Sequence, residues 1–202
     1  MPDLFSEPAG EVLPLADADL VFWRDFDASD ADELLERLIA QTPWKSEHIT
    51  VWGKTHPQPR LVAWYGDANA VYTYSGMRMT PVPWTPLLLE LKGRVEAQCD
   101  AQFNSVLLNY YRDERDSMGL HADDEPELGP QPVIASLSLG DERRFYFRHK
   151  RDKSRQGLGL KLPSGSLLLM RGATQANWKH GISKQTRPCG PRVNLTFRRI
   201  LV

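Results

Sequence analysis

The sequence predicts an α+β chain whose C-terminal half is a jelly roll or barrel, and three observations carry that prediction. Two stretches with helical periodicity lie before Asp100, and β-type runs separated by Gly, Pro or charged turns follow from Phe103 onward. The composition, 41% hydrophobic and 25% charged over 202 residues, is that of one globular domain with a substantial core.

In chain order, the acidic opening shows no strong periodic pattern before Ser29, which with Asp32 resembles a capping box. Leu34, Leu35, Leu38 and Ile39 then recur at helical spacing until Pro43 stops the run. Ile49 to Lys54 is β-rich and broken by Gly53, Arg60 to Gly66 is a second such run, and Val71 to Gly76 an aromatic third. Thr85 before Pro86 reads as an N-cap and first-turn pair, opening a helix through Leu88, Leu91 and Val95 to about Cys99. Phe103 to Tyr111, Val133 to Leu139, Arg144 to Phe147, Ser166 to Met170 and Val193 to Leu201 are the strands of the C-terminal half.

The net charge of −1 conceals an uneven distribution. Residues 1 to 36 hold eleven acids and only Arg24, which leaves 24 basic against 15 acidic residues in 37 to 202, and 15 against 3 in 141 to 202. A polyanion-binding face and a solvated basic face both fit that asymmetry. No run of about 18 apolar residues offers a membrane span, and Met1 to Gly10 lacks the n- and h-regions of a secretory signal. The expectation is a soluble intracellular monomer, cytoplasmic or, in a eukaryote, nuclear. Cys99 and Cys189 form no CxxC, which excludes a zinc knuckle.

The chemistry concentrates at His121-Ala122-Asp123, where an extended backbone would turn both side chains to one face and let them grip one ion. His180, after the strand Ser166 to Met170 and a polar turn, is the natural third ligand. Two histidines and one carboxylate leave coordination positions open, as in non-heme Fe(II) oxygenases, though a zinc hydrolase uses a similar trio with water in the open position. On Arg192 to Arg198, Val193, Leu195 and Phe197 face one side and Arg192, Asn194, Thr196 and Arg198 the other. The two arginines, roughly 20 Å apart at Cα, would reach the two ends of a compact diacid, since a guanidinium is a forked donor suited to carboxylate.

Asn109-Tyr110-Tyr111, His121-Ala122-Asp123, His180 and Arg192 through Arg198 together resemble the N-x-Y, H-x-D, distal H and R-x-N-x-x-x-R motifs of the AlkB family, iron(II)- and 2-oxoglutarate-dependent nucleic-acid dealkylases. The resemblance runs from about Val51 to the C-terminus. It implies a double-stranded β-helix (jelly roll) with N-terminal helices and a nucleotide-recognition lid: an extension and helix over 1–45, the lid over about 46–84, and a helix with the catalytic jelly roll over about 85–202. Fe(II) would be held by His121, Asp123 and His180. The distal carboxylate of 2-oxoglutarate would be held by Arg192, Asn194, Asn109 and Tyr111, with Arg198 near its metal-chelating end. The implied reaction, with O2 as second co-substrate, is oxidative demethylation of N1-methyladenine and N3-methylcytosine in DNA, releasing formaldehyde, succinate and CO2.

Gly66-Asp67, Tyr72 to Gly76 and Phe147 to Lys150 resemble in order the recognition elements of the vertebrate members acting on double-stranded DNA. The resemblance implies that Tyr74 stacks on the flipped base opposite His121, a contact that gains a cation-π component for a cationic lesion. Glu125 would accept from the exocyclic amine, and Trp52 would fill the vacated stack as an apolar wedge. Arg148, Lys150, Arg151, Lys153, Lys184 and Arg187 are the candidate phosphate contacts. The partner would be alkylated DNA, single- or double-stranded, or RNA. Protein hydroxylation, a zinc hydrolase, which leaves Arg192 and Arg198 unexplained, and a non-enzymatic nucleic-acid-binding jelly roll, which leaves the metal trio unexplained, are the competing readings.

Overall fold

The computed structural model describes residues 10–51, 54–70, 72–74 and 77–201, and for 49–51, 54, 72–74 and 77–79 the backbone only. Two antiparallel sheets face each other. The larger is ordered β1 (Glu11–Val12), β2 (Asp19–Trp23), β13 (Ser166–Arg171), β10 (Ile134–Gly140), β15 (Arg192–Arg198), β8 (Ser105–Tyr111) and β5 (Leu61–Gly66). The smaller is ordered β12 (Gly159–Leu162), β11 (Arg143–His149), β14 (Trp178–Ile182) and β9 (Met118–His121). Two ribbons, β3 (His48–Val51) with β4 (Lys54–Pro57) and β6 (Tyr72–Tyr74) with β7 (Met77–Met79), fall within the span expected to form a lid. Between them in sequence β5 is the edge strand of the large sheet, paired with β8.

Alternation along the strands divides the apolar residues into two cores. Val193, Leu195 and Phe197 of β15 join Ala63, Leu108, Leu137 and Leu169 on the outer face of the large sheet, where helix α1 (Ala31–Gln41) and helix α2 (Pro86–Cys99) cover them with Leu34, Leu38, Leu88, Leu91 and Val95. Leu20, Phe22, Tyr111, Ile134, Leu168 and Met170 meet Phe145, Phe147, Trp178 and Ile182 between the sheets. Each fully buried aliphatic or aromatic side chain contributes about 1.5–3 kcal/mol, so two such layers hold the large sheet from both sides.

Helix α2 starts as its sequence predicts. Thr85 is extended, its Oγ1 accepts from Leu88 N at 3.2 Å, and Pro86 occupies the first turn, where its missing N–H removes no bond. Helix α1 departs from expectation: the cap is Asp30 rather than Ser29, with no side-chain capping bond. The Asp30 carboxylate lies 3.8 Å from Arg94, which also pairs with buried Asp27. The acidic opening conceals β1 and β2, and β2 completes the large sheet by pairing with β13 from Trp23↔Leu167 to Asp19↔Arg171. Among the described residues no helix is long and apolar enough to cross a membrane.

Candidate metal and dicarboxylate site

Two paired strands of the small sheet, β9 and β14, deliver the ligands implied by the H-x-D and distal-H motifs. His121 ends β9, Asp123 follows two residues later in extended chain, and His180 sits in β14 directly opposite His121 in register. Their ligand atoms all lie within 4.8 Å of one another. His180 Nε2 is 3.6 Å from Asp123 Oδ2, and that oxygen is buried with no hydrogen-bond partner among the described residues. An orphaned buried carboxylate oxygen carries a desolvation cost that a cation would relieve. His121 Nδ1 lies 3.0 Å from Gly119 O, so as the protonated nitrogen it fixes the ring and leaves Nε2 free as a ligand. The residues present therefore fit a divalent metal.

The electrostatics agree. Burial, then the neighbouring His121, lowers the His180 pKa from 6.5 to about 3, so the ring is neutral and its approach to Asp123 is a shared ligand geometry rather than an ion pair. Burial alone would raise Asp123, but Arg198, then His180 and His121, outweigh it and hold the carboxyl below its usual range. Arg198 Nη2 donates to Asp123 Oδ1 at 2.5 Å. The His180 ring is held by stacking on Phe145 at 5.2 Å between centroids and by the edge of His121 at 4.4 Å.

Next to the trio, β8 and β15 present a square of polar residues. Their antiparallel register sets Arg192 opposite Tyr111 and Asn194 opposite Asn109, on the face turned toward the small sheet. Arg192 is 1% exposed, donates from Nη2 to Ser138 Oγ at 2.9 Å, and has its Cζ 5.2 Å from the Tyr111 ring centroid. Its Nε and Nη1 are buried without partners, and burial pulls its pKa down to about 10, so it stays charged at neutral pH. A buried cation with unused donors and no carboxylate partner among the described residues is a receptor for an anion. Asn194 is braced by Ser136 Oγ at 2.8 Å and Leu137 O at 2.9 Å, and its Oδ1 accepts from Thr196 at 2.9 Å.

One cavity collects Tyr111, His121, Asp123, His180, Arg192, Asn194 and Arg198, with Met118, Ser136, Phe145, Met170, Ile182 and Thr196 completing its wall. Asn109 does not line it: its Oδ1 accepts from Arg60 Nε at 2.7 Å, and its Nδ2 is buried without a partner. Glu125 is half-buried at the start of a 3-10 turn, Pro126–Leu128, and its Oε2 is buried and unpartnered. Lys150 donates to Asp124 Oδ2 at 2.6 Å, whereas Arg148, Arg151, Lys153, Lys184 and Arg187 are exposed. Trp52 and the side chain of Tyr74 lie outside the described residues.

The motifs left out four residues that complete the site. Ser136 and Ser138 brace Asn194 and Arg192, and their alternation in Ile134-Ala135-Ser136-Leu137-Ser138-Leu139, two hydroxyls on one face of an apolar strand, was a readable signal. Gln175 accepts from Asp123 N at 3.0 Å, and Arg60 holds Asn109; nothing local in the sequence marks either.

Comparison with known proteins adds the lineage. Residues 20–198 match the model of the 2OG-Fe(II) oxygenase superfamily. The chain is 47% identical over 182 residues to the mouse "Alpha-ketoglutarate-dependent dioxygenase alkB homolog 3", covering 86% of this chain and 63% of that protein. The human protein of the same name is 45% identical over the same shares, so the chain spans 63% of the length of these relatives. The human "DNA oxidative demethylase ALKBH2" is 40% identical over 186 residues, covering 88% of this chain and 71% of that protein. A solved structure titled "The structure of OsALKBH1" superposes with a TM-score of 0.63 at 18% identity, over 89% of this chain and 97% of that one, and shares the fold.

Proposed function

This chain belongs to the 2OG-Fe(II) oxygenase superfamily and, within it, to the AlkB family, and from that premise we propose that it oxidatively demethylates N-alkylated bases, N1-methyladenine and N3-methylcytosine in DNA, as direct-reversal repair. The observation that best supports this reading is the single cavity in which His121, Asp123 and His180 meet a buried arginine, Arg192, with unused donors. A hydrolase needs no such arginine, and a passive binding module needs no such trio.

The family's Fe(II) and 2-oxoglutarate would supply the oxidising chemistry, with O2 consumed and succinate and CO2 released. His121 Nε2, His180 Nε2 and Asp123 Oδ2 are the atoms offered to the metal. Arg192 and Tyr111 receive the distal carboxylate, with Asn194 beside them and Asn109 behind, because Arg192 carries the unbalanced buried charge. Arg198 keeps Asp123 ionised and oriented. Met118, Phe145, Met170 and Ile182 exclude water from the same cavity. The hydroxylated methyl group then leaves as formaldehyde and the base is restored.

Tyr74, Trp52 and Glu125 are the proposed base-recognition residues, and Arg148, Lys150, Lys184 and Arg187 the phosphate contacts, Lys150 after release from Asp124. The test is an oligonucleotide carrying one N3-methylcytosine, incubated with the protein and followed by mass spectrometry for loss of one methylene. Loss that requires both Fe(II) and 2-oxoglutarate is expected. No loss in the complete mixture, or loss without 2-oxoglutarate, overturns the reading. Parallel runs on single strand, duplex and RNA rank the substrates.

A further inference from the structure

The small sheet has a second face, turned away from the cavity. Along β11 the side chains alternate: Phe145 and Phe147 point to the core, while Arg144, Tyr146 and Arg148 point out. The register with β12 and β14 arranges this outer face in three rows. Arg144 stands opposite Lys161, Arg148 stands opposite Lys179, and between them Tyr146 is flanked by Gly159 on one neighbouring strand and Gly181 on the other.

Two things about this arrangement call for a ligand. Directly opposed like charges destabilise a sheet, yet two such pairs occur here and all four side chains are exposed. Lys161 has one acidic neighbour, Glu142 at 3.0 Å, and among the described residues Arg144, Arg148 and Lys179 have no ion-pair partner. The middle row differs: both register partners of half-buried Tyr146 are glycines, so no neighbouring Cβ stands over its ring. Backbone approach explains Gly181, where a Cβ would lie 2.8 Å from Met118 O. At Gly159 a Cβ would meet the Arg144 guanidinium at 2.9 Å, so Arg144 is laid across that glycine beside the tyrosine.

We propose that this outer face is a second nucleic-acid surface, one that binds an unmodified single-stranded segment: Tyr146 stacks on a base while Arg144, Lys161, Arg148 and Lys179 take the phosphates on either side. An aromatic flanked by cations on an open sheet is how sequence-tolerant single-strand binding is built, because every base has a π-face. A duplex keeps its bases stacked internally and offers the tyrosine nothing. The rows lie about 7 Å from the tyrosine row along the strand, two residues at strand rise. The surface is separate from the cavity: His180, between Lys179 and Gly181 in β14, points the other way. A strand on the outer face therefore leaves the cavity free, and Arg148 lies where the β11–β12 hairpin, with Arg151 and Lys153, continues the basic track.

The test is fluorescence anisotropy of a labelled, unmodified single-stranded oligonucleotide with the full chain, without Fe(II) or 2-oxoglutarate. Tyr146→Leu should weaken binding about tenfold, the loss of one stacked base, while Tyr146→Phe retains it. The paired substitution Lys161→Ala with Lys179→Ala should lower the salt slope by about 1.4, at about 0.7 per phosphate contact on single strands. Thermal melts establish that each variant is folded. Affinity of folded Tyr146→Leu within twofold of the parent, or equal weakening toward a duplex of the same length, overturns the proposal. Demethylation of a short lesion-bearing oligonucleotide by Tyr146→Leu is expected at the parent rate, so failure of this surface and failure of the dealkylase reading are told apart.

Discussion

Replacing Arg198 with methionine isolates the charge balance at the candidate metal centre. The Arg198 and Asp123 side chains are 7% and 3% exposed and 2.5 Å apart, and Arg198 is the largest influence holding the Asp123 carboxyl low against its burial. Methionine keeps most of the packing volume and leaves Asp123 as an uncompensated buried charge. Removing one partner of such a pair costs about 3–5 kcal/mol. At about 2–4 °C per kcal/mol for a chain of this size, Arg198→Met should lower Tm by about 6–20 °C without metal. A divalent cation restores positive charge to the same carboxylate, so saturating Mn(II) should recover a large part of that loss and raise the variant's Tm more than the parent's. Differential scanning fluorimetry of parent and variant, with and without Mn(II), reads both quantities. A metal-free loss below about 2 °C, or an equal loss with and without metal, would refute the reasoning.

Further predictions follow from other contacts. Arg60→Ala should weaken 2-oxoglutarate binding about tenfold, the scale of one charge-assisted hydrogen bond, yet have little effect in an Asn109→Ala background if Arg60 acts by holding the Asn109 amide; equilibrium dialysis over the double-mutant cycle measures the coupling. Burial pushes the Cys99 thiol up to about 12, whereas Cys189 is partly exposed, so a thiol reagent at pH 8 should titrate one group in the native protein and two after unfolding. Hydrogen bonds from Arg115 lower the Asp113 pKa from 3.8 to about 2. A carboxyl depressed in the folded state contributes stability that is present above its unfolded pKa and lost as pH falls through the folded one. Acid unfolding should therefore show a component between about pH 3.8 and 2 that Asp113→Asn removes, and an unchanged profile counts against it.

Local chemistry was legible where one residue type decides one conformation. Thr85 and Pro86 set the start of α2 because capping needs only the next three residues. The alternation of Arg192 through Arg198 gave the two faces of β15 because side-chain direction has period two. The capping box at Ser29 missed by one residue: the helix starts at Ala31 with Asp30 as cap, and the Asp30 side chain makes no capping bond. Strand β2 was not legible because Leu20 to Trp23, four apolar residues between Asp19 and Arg24, carry no alternation, and only the partner strand β13 makes them a strand. Strand β12, four residues with two exposed, was equally faint.

By itself the sequence determined the inventory and its facing: two histidines and a carboxylate able to share an ion, two arginines and an asparagine on one side of one strand, and a basic C-terminal third. Only the tertiary structure decided which of these meet. The register of β8 on β15 makes Tyr111 and Asn109 the partners of Arg192 and Asn194, and sheet-on-sheet packing brings His121, Asp123 and His180 into the same cavity. It also decided that Asn109 answers to Arg60 and that Arg198 faces Asp123. The reason is that facing is set by the period of the chain's own backbone, whereas pairing is set by burial and hydrogen bonding between segments as far apart as Asp123 and Arg198, whose separation of 75 residues no local pattern encodes.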